Sequence, residues 1–270
     1  MPQLDVPGGS LYFETDGEPG TPPLLLIHAG VATLRMWDAQ IAALAEHHYV
    51  VRYDTRGFGQ TETTATPFSD VLDAVAVIDH LGLASVTVIG ASRGGRIALD
   101  LALDAPDRVR AVAVVCSNPS GFEGESTVLE KALFDELDDL EASQQWEKLL
   151  RREVDLWDFG PLRMQEDLDP VFVARAYELA LENIEHGTVQ AVPIPVEPPA
   201  FGRVDAITVP ALVTIGRFDI SEMLQAYEYL LATLPFASGH VFESAAHLPS
   251  VEVPEEFERV LLDWLGEHAL

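Results

Sequence analysis

The chain has 270 residues, 48% of them hydrophobic, and its 44 acidic and 16 basic side chains give a formal net charge of −28. This charge argues against nucleic acids and anionic membrane surfaces as partners, and no apolar run reaches the roughly 18 residues that a membrane-spanning helix needs. Because the amino terminus also lacks the pattern of a secretory signal, the sequence predicts a cytoplasmic protein with one large α/β core or two small domains.

The first part of the chain alternates between strand-like and helix-like hydrophobic patterns. Ser69 is expected to cap an amphipathic helix with Val71, Leu72, Val75, Ile78 and Leu81 on one side. The remaining patterns predict strands at 24–28, 48–54, 85–90 and 109–116, helices at 36–44 and 93–105, and an antiparallel edge strand at 11–14. Such alternation is typical of a mostly parallel sheet with helices on both faces.

The alternation stops near Asn118 and resumes near residue 200. Between these points the sequence predicts two long helices, roughly 126–157 and 170–186, and then a proline-rich connector at 193–199. Strand 211–216, helix 221–233, strand 239–243 and helix 254–268 follow. We interpret residues 118–200 as a helical cap inserted after the sixth strand of a core formed by residues 1–117 and 201–270. The alternative is a peripheral insertion for stability or dimerisation, in a protein that is a monomer or a homodimer.

Residues 90–94 read Gly-Ala-Ser-Arg-Gly, a G-x-S-x-G pattern located where a buried strand turns into a helix. The pattern alone arises by chance in roughly one in ten chains of this length, so its position carries the inference. A serine on such a turn presents its hydroxyl at the carboxyl edge of a sheet, beside a helix amino terminus that favours a developing anion. The sequence therefore predicts Ser92 as a nucleophile rather than an ordinary turn serine.

A serine nucleophile needs a base and an acid that orients the base, in the chain order serine, acid, histidine. Asp219 directly follows the strand at 211–216, and His247 follows the strand at 239–243. The other histidines precede the serine or lie in the cap, at a strand start or at the chain end. We therefore predict a catalytic triad of Ser92, Asp219 and His247.

The reaction also needs N–H donors for the oxyanion. Arg93 is expected to supply one from its backbone, and Gly30 the other, with Val31 as the alternative. His28, Asp54 and Arg56 are expected to be structural. The residues expected to line an apolar substrate pocket are Val31, Trp37, Trp146, Trp157 and Phe159, with Phe172 also considered.

The single cysteine, Cys116, lies in an apolar run and is expected to be a small buried residue without a disulfide partner. The histidines and this cysteine show no metal-ligand spacing. The sequence therefore predicts neither a metal nor a cofactor.

Six motifs resemble those of the α/β-hydrolase family, specifically its capped branch of 3-oxoadipate enol-lactonases and related esterases. They are LIHAGV (26–31), MWD (36–38), YDTRGFG (53–59), GASRGG (90–95), GRFD (216–219) and AHLP (246–249), the last followed by Glu252 and Pro254. The resemblance covers about 190 residues outside the cap and implies the same triad and oxyanion donors. One departure is Ala29, where the family usually has glycine.

These observations predict a cofactor-independent serine hydrolase that cleaves a small ester or lactone through an acyl-enzyme. The resemblance leaves two alternatives: a carbon–carbon bond hydrolase with the same triad, and a non-catalytic ligand-binding protein on this scaffold. A serine at position 92 argues against dehalogenases, which use aspartate in this family. An anionic substrate would require a local basic pocket, for which the cap offers Arg151, Arg152, Arg163 and Arg175, although surface placement is the favoured expectation for them.

Overall fold

The computed structural model describes residues 2–184, 186 and 192–270, and a central β-sheet runs through them. The strand order is β1-β2-β4-β3-β7-β8-β10-β11, with β5 paired to β2 and a separate β6–β9 pair. Every neighbouring pair from β4 onward in this order is parallel, whereas β1 and β2 are antiparallel additions at one edge. The strands are β1 Gln3–Val6, β2 Gly9–Asp16, β3 Pro23–Ile27, β4 Tyr49–Tyr53, β5 Glu62–Thr63, β6 Pro67–Phe68, β7 Val86–Ala91, β8 Val109–Val115, β9 Val192–Pro193, β10 Ala211–Gly216 and β11 Ala237–Phe242.

Helices cover both faces of the sheet. Alternate residues of β7 show this. Ile89 belongs to the apolar cluster that includes Leu261 of the last helix, whereas Val88 belongs to the separate cluster that includes Ile97. The helices are α1 Asp38–Leu44, α2 Asp70–His80, α3 Arg93–Asp104, α4 Val128–Ala142, α5 Trp146–Leu156, α6 Pro170–Leu181, α7 Ser221–Thr233, α8 Pro249–Glu252 and α9 Pro254–Glu267. In the described part of the chain, no helix is long and apolar enough to cross a membrane.

The strands and helices predicted outside residues 118–200 are confirmed to within a few residues, and four details of the prediction differ from the structure. The helix predicted at 126–157 is two helices, α4 and α5, because the chain turns at Gln144 with a φ of 57°. Leu72 was expected on the buried side of α2 and is instead 67% exposed. The strands β1, β5, β6 and β9 were not predicted, so the insertion follows the eighth strand, β8, and not the sixth. The helix predicted at 170–186 corresponds to α6, which ends at Leu181. Residue 185 of that predicted helix and residues 187–191 of the predicted cap lie outside the described residues.

A close backbone contact joins the beginning of α3 to the end of β3. A Cβ atom added to Gly94 would lie 2.2 Å from the Ile27 carbonyl oxygen and 2.8 Å from that of His28. Both distances are far below van der Waals contact, so only glycine allows the two segments to approach this closely. The contact fixes the first turn of α3 against the loop that follows β3.

We expect Gly94→Ala to lower the free energy of unfolding by about 3 kcal/mol, because the new methyl group must displace backbone rather than a flexible side chain. Gly266→Ala in α9 is the matched control: a Cβ there meets nothing within 4 Å. It should stabilise the helix by at most about 1 kcal/mol. Urea unfolding of both variants checks this, and equal stabilities would contradict the steric account.

Candidate active site

Three of the predicted site residues lie just beyond the carboxyl ends of strands in the same sheet. Ser92 follows β7, Asp219 follows β10, and His247 follows β11. The carboxyl ends of parallel strands meet at one edge of a sheet, which is where ligands bind in open α/β folds. Strand β8, which lies between β7 and β10, is followed by Cys116 at the same edge.

Ser92 occupies a strained turn between β7 and α3. Its φ of 50° and ψ of −117° are unusual for a residue with a side chain. Three hydrogen bonds to the Ser92 backbone hold this geometry. The Ser92 N–H donates to the Val115 carbonyl (2.8 Å), and the Ser92 carbonyl accepts from the Ser117 hydroxyl (2.5 Å) and the Arg96 N–H (3.1 Å). The turn leaves the half-buried Ser92 side chain at the beginning of a helix.

Asp219 and His247 are joined by a buried hydrogen bond. His247 Nδ1 lies 2.9 and 3.0 Å from the two carboxylate oxygens of Asp219, and the two side chains are 1% and 0% exposed. Asp219 also accepts a hydrogen bond from the Ile220 N–H at 2.8 Å. A carboxylate so placed fixes the ring orientation of the histidine and the tautomer in which Nε2 is free to act as a base.

Cys116 is fully buried, as predicted, but it also lies beside Asp219 and His247, which the sequence analysis did not anticipate. Each of the three residues offers a metal-ligand atom within 4.8 Å of the others. Burial, and next the Asp219 charge, raise the pKa of the Cys116 thiol well above its usual range. In this cluster His247 Nδ1 is engaged by Asp219, and Cys116 Sγ lies 3.6 Å from the Ala246 carbonyl.

The two expected oxyanion donors belong to neighbouring segments. A Cβ added to Gly30 would lie 3.9 Å from the Arg93 Cβ, so the loop after β3 passes directly beside the residue that follows Ser92. Arg93 is the first residue of α3, whose N–H has no partner inside the helix. Among the described residues, neither its N–H nor those of Gly30 and Val31 donate to a protein acceptor.

Buried side chains hold the loop after β3 in place, as the sequence analysis expected for His28 and Asp54. His28 Nδ1 donates to the Ala29 carbonyl at 2.7 Å, and its Nε2 accepts from the Thr55 N–H at 2.9 Å. Burial lowers the pKa of His28 to about 4, so the ring is neutral at pH 7 and fits this pattern of one donor and one acceptor. Asp54 accepts from the Leu34 N–H at 2.8 Å.

Of the five residues expected to line the substrate pocket, the structure brings Trp157 against the site. Its ring centre lies 4.7 Å from that of His247. Trp37 is fully buried and packs against Phe257, so its contacts are those of a core residue. Phe159 packs with Phe172 and Tyr177 and lines a cavity of about 470 Å³ whose lining includes neither Ser92 nor His247.

The other two expected pocket residues differ in their surroundings. Val31 is buried in the loop that also carries Gly30, next to the expected oxyanion donors. Trp146 is the partly buried first residue of α5. It makes no aromatic contact with His247 in the described ranges, unlike Trp157.

The four arginines of the predicted cap that were considered for a basic pocket are each paired with a carboxylate. Arg163 is only 11% exposed in its side chain, which corrects the expectation that all four lie at the surface. The pairs are Arg151–Glu147 (3.2 Å), Arg152–Glu136 (3.0 Å), Arg163–Glu252 (2.6 Å) and Arg175–Asp38 (3.0 Å).

The chain belongs to the α/β-hydrolase fold family, whose model matches residues 22–254. Among curated relatives, 3-oxoadipate enol-lactonase 2 of Acinetobacter baylyi is 27% identical over 255 residues, which cover 93% of this chain and 91% of the relative. RutD of Azorhizobium caulinodans, a putative carbamate hydrolase, is 37% identical over 118 residues, which cover 43% of this chain and 44% of the relative.

Solved structures share the fold over nearly the whole chain. The enol-lactonase from Burkholderia xenovorans LB400 superposes with a TM-score of 0.78 at 24% identity, covering 98% of this chain and all of the other. A thermophilic esterase from Thermogutta terrifontis gives a TM-score of 0.81 at 21% identity, covering 99% of this chain and 100% of the other. At these identities the likeness establishes the mostly parallel sheet with helices on both faces, which agrees with the predicted fold class.

Proposed function

We propose that the protein is a serine hydrolase that cleaves a small neutral ester or lactone with Ser92, Asp219 and His247. The observation that carries this proposal is the buried Asp219–His247 hydrogen bond at the same sheet edge as the strained Ser92 turn. A histidine oriented by a carboxylate and a serine on a strand-to-helix turn are the components of acyl transfer. The enol-lactonase and esterase relatives are consistent with this reaction class.

In the proposed reaction Ser92 Oγ attacks the carbonyl carbon while His247 Nε2 takes the serine proton. The oxyanion that forms accepts hydrogen bonds from the free N–H groups of Gly30 and Arg93. The carbonyl then reforms, the alkoxide leaves with the proton from His247, and water, activated by His247, hydrolyses the acyl-enzyme. In the described residues no hydrogen bond joins Ser92 Oγ to His247; such contacts are often long in free enzymes and tighten when substrate binds.

The charges around the site favour a neutral substrate over an anionic one. Arg163 is bound to Glu252, and Arg93 pairs with Asp70 at 2.6 Å, so these two guanidinium charges are already compensated. The net charge of −28 adds a repulsive field that salt screens only beyond roughly 8–10 Å.

We further propose that the helical insertion acts as a cap that selects the substrate. Three helices, α4 to α6, lie between β8 and β10, and Trp157 at the end of α5 contacts both His247 and Phe134 of α4. An apolar side chain against the base is suited to the acyl or alcohol part of a small substrate.

We expect Ser92→Ala to lose at least about three orders of magnitude in kcat, because triad deletions remove the nucleophile itself. A fluorophosphonate probe should label the wild type and not this variant. A panel of neutral esters, lactones, anionic analogues and dienoic ketoacids, assayed with both proteins, identifies the substrate class. Labelling that persists in Ser92→Ala would refute the nucleophile, and a folded wild type that never labels would favour a ligand-binding protein.

Trp157→Ala should change the ratio of kcat/KM between short-chain and long-chain acyl esters by about 10-fold or more, since a reshaped apolar wall discriminates by size. Leu162→Ala is the control, because Leu162 lies in the same part of the insertion and is 80% exposed. It should leave the ratio within about twofold. If Trp157→Ala scales all substrates equally, Trp157 does not contribute to specificity.

A further inference from the structure

The segment from Trp157 to Arg163 lies against both loops that carry the proposed acid and base. Trp157 contacts His247, and Gly160 packs against the residues that directly precede Asp219 and His247. A Cβ on Gly160 would lie 2.2 Å from the Phe218 carbonyl oxygen and 3.3 Å from the Ala246 Cβ. Its φ of 85° also favours glycine. The insertion is thus in contact with the backbone next to Asp219 and next to His247.

Arg163 ends this segment and binds parts of both loops at once. Its guanidinium makes a two-pronged ion pair with Glu252 (2.6 and 3.0 Å) and donates to the Ser244 carbonyl at 2.9 Å. It also lies over the Phe218 ring, 4.8 Å from the ring centre. Ser244 precedes His247 by three residues, and Phe218 directly precedes Asp219.

Glu252 links Arg163 to the backbone next to the proposed base, His247. The carboxylate oxygen that binds Arg163 at 3.0 Å also accepts a hydrogen bond from the Ala246 N–H at 2.9 Å. The Arg163 and Glu252 side chains are only 11% and 8% exposed, so solvent screens their attraction weakly. Nearby Asp158 is fully buried, and burial raises the pKa of its carboxyl well above its usual range. The carboxylate that pairs with the Arg163 guanidinium is Glu252.

We propose that Arg163 is a positioning residue that fixes His247 relative to Asp219 from the inserted segment, through Glu252 and the Phe218 ring. This proposal rests on the function proposed above. A planar guanidinium with several fixed donors suits the task, because it can hold a carboxylate with two bonds, a carbonyl with a third and an aromatic face simultaneously. The insertion then contributes to the geometry of the catalytic groups as well as to substrate choice.

The test compares Arg163→Met with Arg175→Met, using kcat and KM for a neutral ester and the rate of fluorophosphonate labelling. Arg175 is the matched control because it also joins the insertion to the core, through Asp38 at 3.0 Å, and touches neither catalytic loop. Arg163→Met should lower kcat and the labelling rate by about 10- to 100-fold, since small misplacements of reacting groups cost this much. KM should change less than about threefold, and Arg175→Met should lie within about twofold of wild type.

Arg163→Lys should give an intermediate kcat, because one ammonium cannot reproduce the two-pronged contact. Equal kcat values in Arg163→Met and Arg175→Met would overturn the positioning role of Arg163. The proposed function would still stand if the wild type is active and Ser92→Ala is inactive. If Arg163→Met does not fold, the kcat values of Arg163→Lys and Glu252→Gln test the proposal instead. Glu252→Gln retains an acceptor for the Ala246 N–H. Wild-type kcat in both would overturn the proposal.

Discussion

The contact between Gly94 and the end of β3 is the constraint on which the rest of the site depends. It holds the first turn of α3 against the Ile27 and His28 carbonyls, so that the residue after Ser92 lies beside Gly30. The proposed nucleophile and both proposed oxyanion donors are thereby fixed by backbone packing. Because backbone packing is stiff, this half of the site needs no rearrangement of side chains to form.

The other half is assembled from side chains, and it draws on the insertion. Asp219 and His247 lie on loops after different strands, and their hydrogen bond is buried. Trp157 covers the histidine ring, while Arg163 and Glu252 bind the loop that carries it. In the proposed function, mobile loops would lose catalytic geometry, so we infer that these outer contacts fix the proposed base as Gly94 fixes the turn that carries the proposed nucleophile.

The sequence was informative wherever a function requires a local backbone pattern. The G-x-S-x-G pattern predicted the strand-to-helix turn at Ser92, because strand, turn and helix propensities are all local. The order of the strands predicted where Asp219 and His247 would lie. Contacts between distant segments left no such signal. Arg163 and Glu252 are 89 residues apart, and nothing in either neighbourhood indicates the other. Trp37 and Phe159 were expected in the pocket, yet packing places both in the interior.

The central claim is that Ser92 and His247 act as one unit in a proton transfer, and a double-mutant cycle tests it most directly. Ser92→Ala, His247→Ala and the combined variant are compared with wild type by kcat/KM for one neutral ester that the wild type hydrolyses. If the two residues share a single step, the combined variant should be no more than about threefold worse than the weaker single variant. Losses that multiply would show that the two side chains act independently, and would contradict the account.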